Sequence, residues 1–270
     1  MSATRLPLGG GASIAVRLDR PAAPAAAGWC FLYLHGFGSG QSGEKATCFR
    51  ARALAAGLPF CSLDFRGHGE SDGELGATTL ARNLEDIARV RRHLESQGWS
   101  RIVLIGSSMG GASALLHAAQ DPAGVVACLL IAPAVGLTRE LENLAQSDRL
   151  AAWRRDGAMR FHTEAVEADL AWAFAEDLAA RDFRAVARTL AVPTLVLQGR
   201  NDRSVDYRDV LDFVAATPPG TTDLVLYGDG DHRLTDRLDE LWAQMLDFLR
   251  RRGLVDATFA SDPEERRSSS

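Results

Sequence analysis

The sequence predicts an α/β protein: a mostly parallel β-sheet flanked by helices, with a small helical cap inserted late in the chain. Three observations lead to this prediction. Short strand-like runs alternate with helix-like segments, several of these runs are continuously apolar, and residues 138–190 break the alternation. Alternation is typical of parallel sheets, because two parallel neighbouring strands need a long crossover connection, which is usually a helix.

Seven segments have the length and composition of β-strands. Several are apolar throughout rather than at alternate positions, which indicates strands covered on both faces of the sheet. The predicted strands span residues 12–18, 29–34, 59–64, 101–105, 125–131, 193–198 and 222–227. Cys30, Cys61 and Cys128 fall within them, and the four cysteines, including Cys48, lack Cys-x-x-Cys spacing. We therefore expect buried free thiols.

Three segments have the spacing of helices that pack on a sheet. Apolar residues recur every three or four positions from Leu80 to Leu94 and again from Leu238 to Leu249. An alanine-rich run follows Ser108. Helices at these positions would cover the two faces of the predicted sheet.

The segment 138–190 has helical spacing and no strand-like run. It carries several large apolar side chains, among them Trp153, Trp172 and Phe174. Ligands bind beyond the carboxyl ends of the strands in α/β sheets, so an insertion between two late strands can cover a binding site. We expect a helical cap over the site; the alternative is a helical hairpin packed elsewhere on the surface.

These segments define the expected domain organisation. Residues 1–137 and 191–255 would form the α/β core, and residues 138–190 the cap. Residues 256–270 are polar and charged, which predicts a disordered tail.

The composition argues against several classes of protein. Hydrophobic residues make up 46% and charged residues 24% of the chain, as in soluble globular proteins. The apolar run that ends at Pro133 is far shorter than the ~20 residues of a membrane helix, and residues 1–11 lack the apolar core of a secretory signal. We expect a cytoplasmic protein without a membrane span. The net charge of −5 disfavours a nucleic-acid partner. Nothing in the sequence indicates the oligomeric state.

The most informative motif is Gly106-Ser107-Ser108-Met109-Gly110, which joins the predicted strand 101–105 to the alanine-rich run. A Gly-x-Ser-x-Gly sequence between a strand and a helix forms a strained turn that lifts the middle serine above the sheet edge. The sequence therefore predicts Ser108 as a nucleophile.

A serine hydroxyl is a weak nucleophile and needs a base, which in turn needs an orienting carboxylate. Asp202 follows the predicted strand 193–198, and His232 lies in a glycine-rich loop after the strand 222–227. The chain order Ser, Asp, His is that of one large class of triad hydrolases. We predict Ser108, Asp202 and His232 as the catalytic residues.

Other residues could fill these roles. Asp206, Asp229 and Asp231 are rival carboxylates, and Asp202 is preferred because it follows its strand directly. His35 and His68 lie in glycine-flanked loops that could reach the site. The rival histidines His93, His117 and His162 lie in helix-like stretches.

Acyl transfer develops an oxyanion that needs backbone N–H donors, each worth about 3 kcal/mol. Met109 follows the nucleophile at a helix start, so its amide is one predicted donor. Phe37 is the other, in the loop His35-Gly36-Phe37-Gly38 after the strand 29–34.

A competing motif, Gly38-Ser39-Gly40-Gln41-Ser42-Gly43, matches the Gly-x-Gly-x-x-Gly pattern of dinucleotide sites, and Asp64 ends the next strand. Its glycines begin four residues past Leu34 rather than in the first turn, and a nicotinamide enzyme would not need Ser108, Asp202 and His232. We also find no metal-ligand cluster. The sequence therefore predicts neither a cofactor nor a metal.

These motifs together resemble the α/β-hydrolase superfamily over roughly residues 12–250. A narrower resemblance is to the mitochondrial acyl-protein thioesterase and acyl-glucuronide esterase group and its bacterial relatives. It is carried by Ser71-Asp72-Gly73, Thr78-Thr79-Leu80, Gly106-Ser107-Ser108-Met109-Gly110-Gly111 and Asp231-His232-Arg233-Leu234. The resemblance implies hydrolysis of thioesters or carboxylic esters without a cofactor, beneath a small helical cap. Phe37 and the aromatic residues of the cap depart from that group.

The sequence thus predicts a serine hydrolase acting on a small-molecule or acylated substrate, with a medium or aromatic acyl group suggested by the apolar cap. Two alternatives stay open: a small-amide peptidase of the same fold, and a non-catalytic protein of that fold that binds a ligand. The complete set of predicted triad residues disfavours the second, and the cap offers no obvious acidic anchor for the amino group that many peptidases bind.

Overall fold

A computed structural model describes residues 4–21, 28–162 and 166–255 of the protein. Ten β-strands and nine α-helices make up this described part. The strands are β1 Thr4–Gly9, β2 Ala12–Asp19, β3 Trp29–Leu34, β4 Phe60–Leu63, β5 Arg101–Ser107, β6 Val125–Ile131, β7 Ala158–His162, β8 Glu167–Ala171, β9 Thr194–Gly199 and β10 Thr222–Tyr227. The helices are α1 Glu44–Ala55, α2 Leu80–Ser96, α3 Met109–Gln120, α4 Leu137–Ala145, α5 Asp148–Asp156, α6 Trp172–Ala179, α7 Phe183–Thr189, α8 Tyr207–Ala216 and α9 Leu238–Arg251.

Eight strands form one sheet in the order β1-β2-β4-β3-β5-β6-β9-β10. The β1–β2 and β2–β4 pairs are antiparallel, and every pair from β4 to β10 along the sheet is parallel. The predicted α/β fold with a mostly parallel sheet flanked by helices is confirmed.

Both faces of the sheet are buried, as the continuous apolar runs indicated. Helices α1 and α9 cover one face, where Phe49 and Trp242 pack against Phe31 and Tyr33 of β3. Helices α2, α3, α7 and α8 contribute to the core on the other face. The strands β3 and β6 are buried at all or nearly all of their positions.

Strand β1 is not among the predicted strands. Pro7 and the glycines from Gly9 to Gly11 are turn signals. The strand nevertheless forms because it lies at the sheet edge and pairs only with β2, and proline is tolerated on an edge strand.

The segment between β6 and β9 contains α4 to α7 and also a two-stranded antiparallel hairpin, β7–β8. The expectation of a segment without strands is therefore wrong. The α5 helix ends at Asp156 and is followed by Gly157, whose φ of +76° turns the chain into the hairpin. Trp153 then fixes the hairpin, because its Nε1 donates to the Leu170 carbonyl at 2.9 Å and its ring packs on Phe161.

The predicted tail, residues 256–270, lies outside the described residues. Within the described ranges, no helix is long and apolar enough to cross a membrane. The four cysteines are free, and Cys30, Cys61 and Cys128 are buried in strands as expected.

Candidate active site

Ser108 occupies a strained turn between β5 and α3. Its φ of 53° and ψ of −118° are rare for a residue with a side chain, and such strain costs about 1–3 kcal/mol. Backbone hydrogen bonds hold the turn: the Ser108 amide donates to the Ile131 carbonyl at 2.9 Å, and its carbonyl accepts from the Ala112 and Ala134 amides at 3.0 and 3.1 Å. The surrounding sheet and helix therefore fix the conformation that the motif predicted.

The glycines of the motif are required by close backbone approach. A Cβ atom on Gly110 would lie 2.2 Å from the Leu34 carbonyl oxygen, and one on Gly106 would lie 2.7 Å from the Gly111 Cα. Any side chain at either position would separate the first turn of α3 from β3 or β5. The elbow can form because both positions lack a side chain.

Ser108 is also the accessible residue of an otherwise buried stretch. Every other residue from Ile102 to Ala118 is buried. Ser108 faces a cavity of about 660 Å³. The segment between β6 and β9 contributes Leu137, Phe161, Leu170 and Phe174 to the cavity wall. The serine therefore borders a cavity that is lined by both apolar and charged side chains.

Asp202 and His232 come together across two loops at the carboxyl ends of β9 and β10. His232 Nδ1 lies 2.8 Å from Asp202 Oδ2, and the Asp202 side chain is fully buried while that of His232 is 20% exposed. A carboxylate at this position accepts a hydrogen bond from Nδ1–H and leaves Nε2 free to act as a base.

The Asp202 carboxylate is held by further donors. Its Oδ1 accepts from the Ser204 and Val205 amides, both at 2.8 Å, and its Oδ2 accepts from Gln198 Nε2 at 3.0 Å. Burial raises the pKa of Asp202, but the hydrogen bond and charge of His232, with the two amides, outweigh it and bring the pKa below its ordinary value. Asp202 is therefore held as an anion facing the imidazole.

The rival carboxylates are engaged elsewhere. Asp206 accepts from the Arg208 amide and caps α8. Asp229 pairs with Arg237, and Asp231 accepts from the Arg233 and Leu234 amides. None of them bonds the His232 ring, for which Asp202 is the described partner.

The remaining predicted residues also border the cavity. Phe37, Met109, Ser108 and His232 all line it. No described residue accepts a hydrogen bond from the Phe37 or Met109 backbone amide, so both donors are available to a ligand. Ser108 and His232 make no direct hydrogen bond in this structure, and such contacts often tighten only when substrate binds.

Of the rival histidines, all of which lie in the described ranges, only His162 lines the cavity with His232. His35 is buried, and its Nε2 accepts from the Phe65 amide at 3.0 Å; burial and the nearby His68 lower its pKa to about 4. His68 packs between the rings of His35 and Phe37. His162 ends strand β7 instead of lying in a helix, and it lines the cavity.

The glycine-rich loop after β3 is held by Asp64, which the dinucleotide alternative would assign to a ribose. Asp64 is buried, and its carboxylate accepts from the backbone and side-chain amides of Gln41 and from the Glu70 amide. These bonds give Asp64 a structural role in the loop. Among the described residues, no group of three or more His, Cys, Asp or Glu side chains could hold a metal ion.

Sequence reasoning missed two residues at the site. Gln198, the penultimate residue of β9, is buried and donates a hydrogen bond to Asp202. The sequence feature that could have indicated this contact is its position four residues before Asp202. Lys45, in the first turn of α1, lines the cavity with Ser108 and His232. The sequence feature that could have drawn attention to Lys45 is that it is the single lysine of the chain.

Comparison with known proteins agrees with this architecture. The profile of the alpha/beta hydrolase family matches residues 31–262. The mouse protein Palmitoyl-protein thioesterase ABHD10, mitochondrial, is 23% identical over 220 residues, which cover 77% of this chain and 70% of that protein. Its solved structure, Alpha/beta hydrolase domain-containing protein 10, covers 93% of this chain and 99% of the mouse chain, with a TM-score of 0.80 and 21% identity.

Two bacterial structures are also similar. A protein from Agrobacterium vitis S4, provisionally named a hydrolase, is 29% identical with a TM-score of 0.80, covering 91% of this chain and 97% of that one. Est1E from Butyrivibrio proteoclasticus, solved with bound ferulic acid, has a TM-score of 0.77 at 19% identity and covers 92% of this chain and 100% of its own. These matches, with the mouse protein, confirm the resemblance that the motifs carried.

Proposed function

The chain belongs to the alpha/beta hydrolase family, and from that premise we propose that it is a serine hydrolase that cleaves carboxylic esters or thioesters. One observation carries the proposal: His232, whose ring is hydrogen-bonded to Asp202, borders the same cavity as the strained, accessible Ser108. The thioesterase name of the mouse relative and the ferulic acid bound to Est1E support the ester and thioester classes.

In the proposed reaction, Ser108 Oγ bonds to the acyl carbon while His232 Nε2 takes the hydroxyl proton. The tetrahedral intermediate then collapses, the bond to the leaving oxygen or sulfur breaks, and His232 returns the proton to that atom. Water, deprotonated by His232, next attacks the acyl-enzyme and releases the acid. Asp202 holds the imidazole in the tautomer that has the proton on Nδ1 and stabilises the imidazolium that forms.

The oxyanion of each intermediate would be bound by the Phe37 and Met109 backbone amides. Both residues line the cavity, and neither amide is used by another described residue. Met109 is also the first residue of α3, whose N-terminal dipole favours negative charge.

Residues 138–190 act in this proposal as the cap, over a core formed by 1–137 and 191–255. Leu137 lines the cavity where the cap begins, and the side chains of Phe161, Leu170 and Phe174 line it from the cap. This apolar wall fits a medium or aromatic acyl group, so turnover should depend on acyl length. A cytoplasmic location stays a prediction from sequence; the mouse relative is named as mitochondrial.

The experiment compares the wild-type protein with Ser108→Ala on p-nitrophenyl esters and acyl thioesters of increasing acyl length, beside aminoacyl p-nitroanilides. The matched control is Ser107→Ala, the buried neighbour. We expect the Ser108 variant to lose at least about a thousandfold in kcat while the Ser107 variant keeps its activity. Undiminished ester hydrolysis in Ser108→Ala would refute the mechanism, and preferential cleavage of the anilides would reassign the protein to the peptidases.

A further inference from the structure

Lys45 is the single lysine among the 30 lysine and arginine residues of the chain. It lies in the first turn of α1 and lines the cavity with Ser108, Phe37 and His232. Arginine and lysine are not equivalent, because the ammonium is a compact point charge whereas the guanidinium is a broad, rigid fork. The chain therefore places its one compact basic group in the candidate active site.

The Lys45 ammonium has no partner among the described residues. It makes no hydrogen bond and no ion pair there, although its side chain is partly buried. Arg233 also lines the cavity, and its distance to the nearest oxygen of Glu44, 3.8 Å, is long for an ion pair. Lys45 and Arg233 thus give one side of the cavity two weakly compensated positive charges.

The charged groups that surround Lys45 come from three elements. Burial and the positive charge of Arg233 lower the pKa of Lys45 to about 8, while Asp231, Glu44 and Asp202 partly offset that decrease. Asp231 accepts from backbone amides and Asp202 from His232, whereas Glu44 lies 3.8 Å from Arg233 and makes no ion pair with Lys45. A partly buried cation without a partner is costly, and a bound anion would remove that cost.

The position of Lys45 relative to His232 indicates which end of a substrate it would meet. Asp231 and Arg233, whose charges affect the pKa of Lys45, are the two sequence neighbours of His232. In the proposed reaction His232 gives its proton to the leaving group, so the leaving group passes beside this loop. In that reaction the leaving alcohol or thiol would therefore pass along the part of the cavity that Lys45 and Arg233 line.

We propose that Lys45, with Arg233 beside it, forms an anion-binding subsite for a carboxylate or phosphate carried by the leaving alcohol or thiol of the substrate. The start of α1 adds to this subsite, because the first amides of a helix favour negative charge. The inference rests on the proposed hydrolase function and narrows its substrates to esters or thioesters with an anionic leaving group.

The first test compares three butyryl thioesters that differ only in the leaving thiol: 3-mercaptopropionate, 2-mercaptoethyl phosphate and the neutral 3-mercaptopropionamide. Thiol release gives kcat and KM for each. We expect the wild-type protein to favour one or both anionic thioesters over the amide by at least about tenfold in kcat/KM, chiefly through KM. The relative values for carboxylate and phosphate identify which anion the subsite fits.

The variant Lys45→Met keeps most of the length of the side chain and removes its charge, so the anionic preference should disappear. The matched control is Arg92→Met, which removes the same charge from an exposed position outside the cavity and should leave the preference unchanged. An equal loss of preference in both variants would mean a general electrostatic effect and would overturn the subsite. Retention of the preference in Lys45→Met would overturn it as well.

The pH dependence gives a second readout. Only protonated Lys45 attracts the anion, so KM for the preferred anionic thioester should rise above a pH of about 8, while KM for the amide should not. Lys45→Arg, which stays charged at that pH, should remove the rise. Identical pH profiles for the anionic and neutral thioesters would contradict the proposal.

A third measurement needs no activity. Reductive methylation with ¹³C-formaldehyde labels only Lys45 and the terminal amine, and the signal absent from Lys45→Arg identifies Lys45. We expect inorganic phosphate or acetate to shift this signal with saturation in the full-length protein, whereas no shift up to high anion concentration would refute the subsite. If the wild-type protein cleaves no ester or thioester, the hydrolase proposal fails; if it cleaves them without regard to Lys45, only the subsite fails.

Discussion

The change Asp202→Asn replaces one oxygen of a carboxylate that accepts four hydrogen bonds. If the asparagine oxygen keeps the Ser204 and Val205 amides, the new NH₂ group takes the place of Oδ2. That group then faces two donors, His232 Nδ1 at 2.8 Å and Gln198 Nε2 at 3.0 Å. To avoid a contact between donors, His232 must move its proton to Nε2.

A neutral imidazole with its proton on Nε2 cannot accept the Ser108 proton. Loss of the correct tautomer in a serine triad lowers kcat by about 10⁴, which corresponds to about 5 kcal/mol of barrier. The fold should change less, because Gln198 Nε2 also donates to the Gly199 carbonyl and so keeps a partner. We expect a stability loss of about 1–3 kcal/mol from the altered contacts.

The assay is kcat/KM on a p-nitrophenyl ester for Asp202→Asn, with a urea unfolding curve for each protein. Asp206→Asn is the matched control: asparagine is as good an N-cap as aspartate, so its activity should stay within about threefold of wild type. The reasoning is refuted if Asp202→Asn loses less than about tenfold, or if Asp206→Asn loses more activity than Asp202→Asn.

Three further predictions concern the supports of the site. Gln198→Leu should lower kcat about tenfold with little change in KM, because it removes a donor to Asp202 without touching the cavity. Gly110→Ala should destabilise the fold by about 1–3 kcal/mol in urea unfolding, since its Cβ would lie 2.2 Å from the Leu34 carbonyl, whereas Gly228→Ala, in open space, should not. Burial and Arg91 lower the pKa of His117 to about 4, so between about pH 4 and pH 6.5 the unfolded chain binds one proton more than the folded chain. The free energy of unfolding should therefore fall as the pH falls through that window. His117→Gln should reduce this pH dependence by up to about 1.4 kcal/mol per pH unit, as measured by urea unfolding at several pH values.

Local sequence signals predicted the parts of the fold that local chemistry determines. The seven predicted strands and the helices after Thr79, Ser108 and Arg237 are present, because apolar spacing alone indicates which faces are buried. The elbow at Ser108 was equally readable, since only glycine fits its close backbone contacts. These features need no knowledge of distant parts of the chain.

Features that depend on long-range contacts were not predictable in the same way. Strand β1 forms by pairing with β2 despite Pro7, and the hairpin β7–β8 forms against Trp153 although its strands are short and partly charged. The hydrogen bond from Gln198 to Asp202 and the position of Lys45 beside the cavity depend on segments that meet only in the folded chain, which no local pattern encodes. The sequence could rank Asp202 above the rival carboxylates, but only the tertiary structure shows its hydrogen bond with His232.

The central claim is that Ser108 is an activated nucleophile. Incubation of the full-length protein with a fluorophosphonate probe, followed by tryptic mapping and fragmentation of the peptide spanning 102–139, tests it directly. We expect one probe per chain on Ser108, none on Ser107 or Ser113 of the same peptide, and a matching loss of ester hydrolysis. An unlabelled protein, or a probe on another residue with activity lost in parallel, would contradict the account.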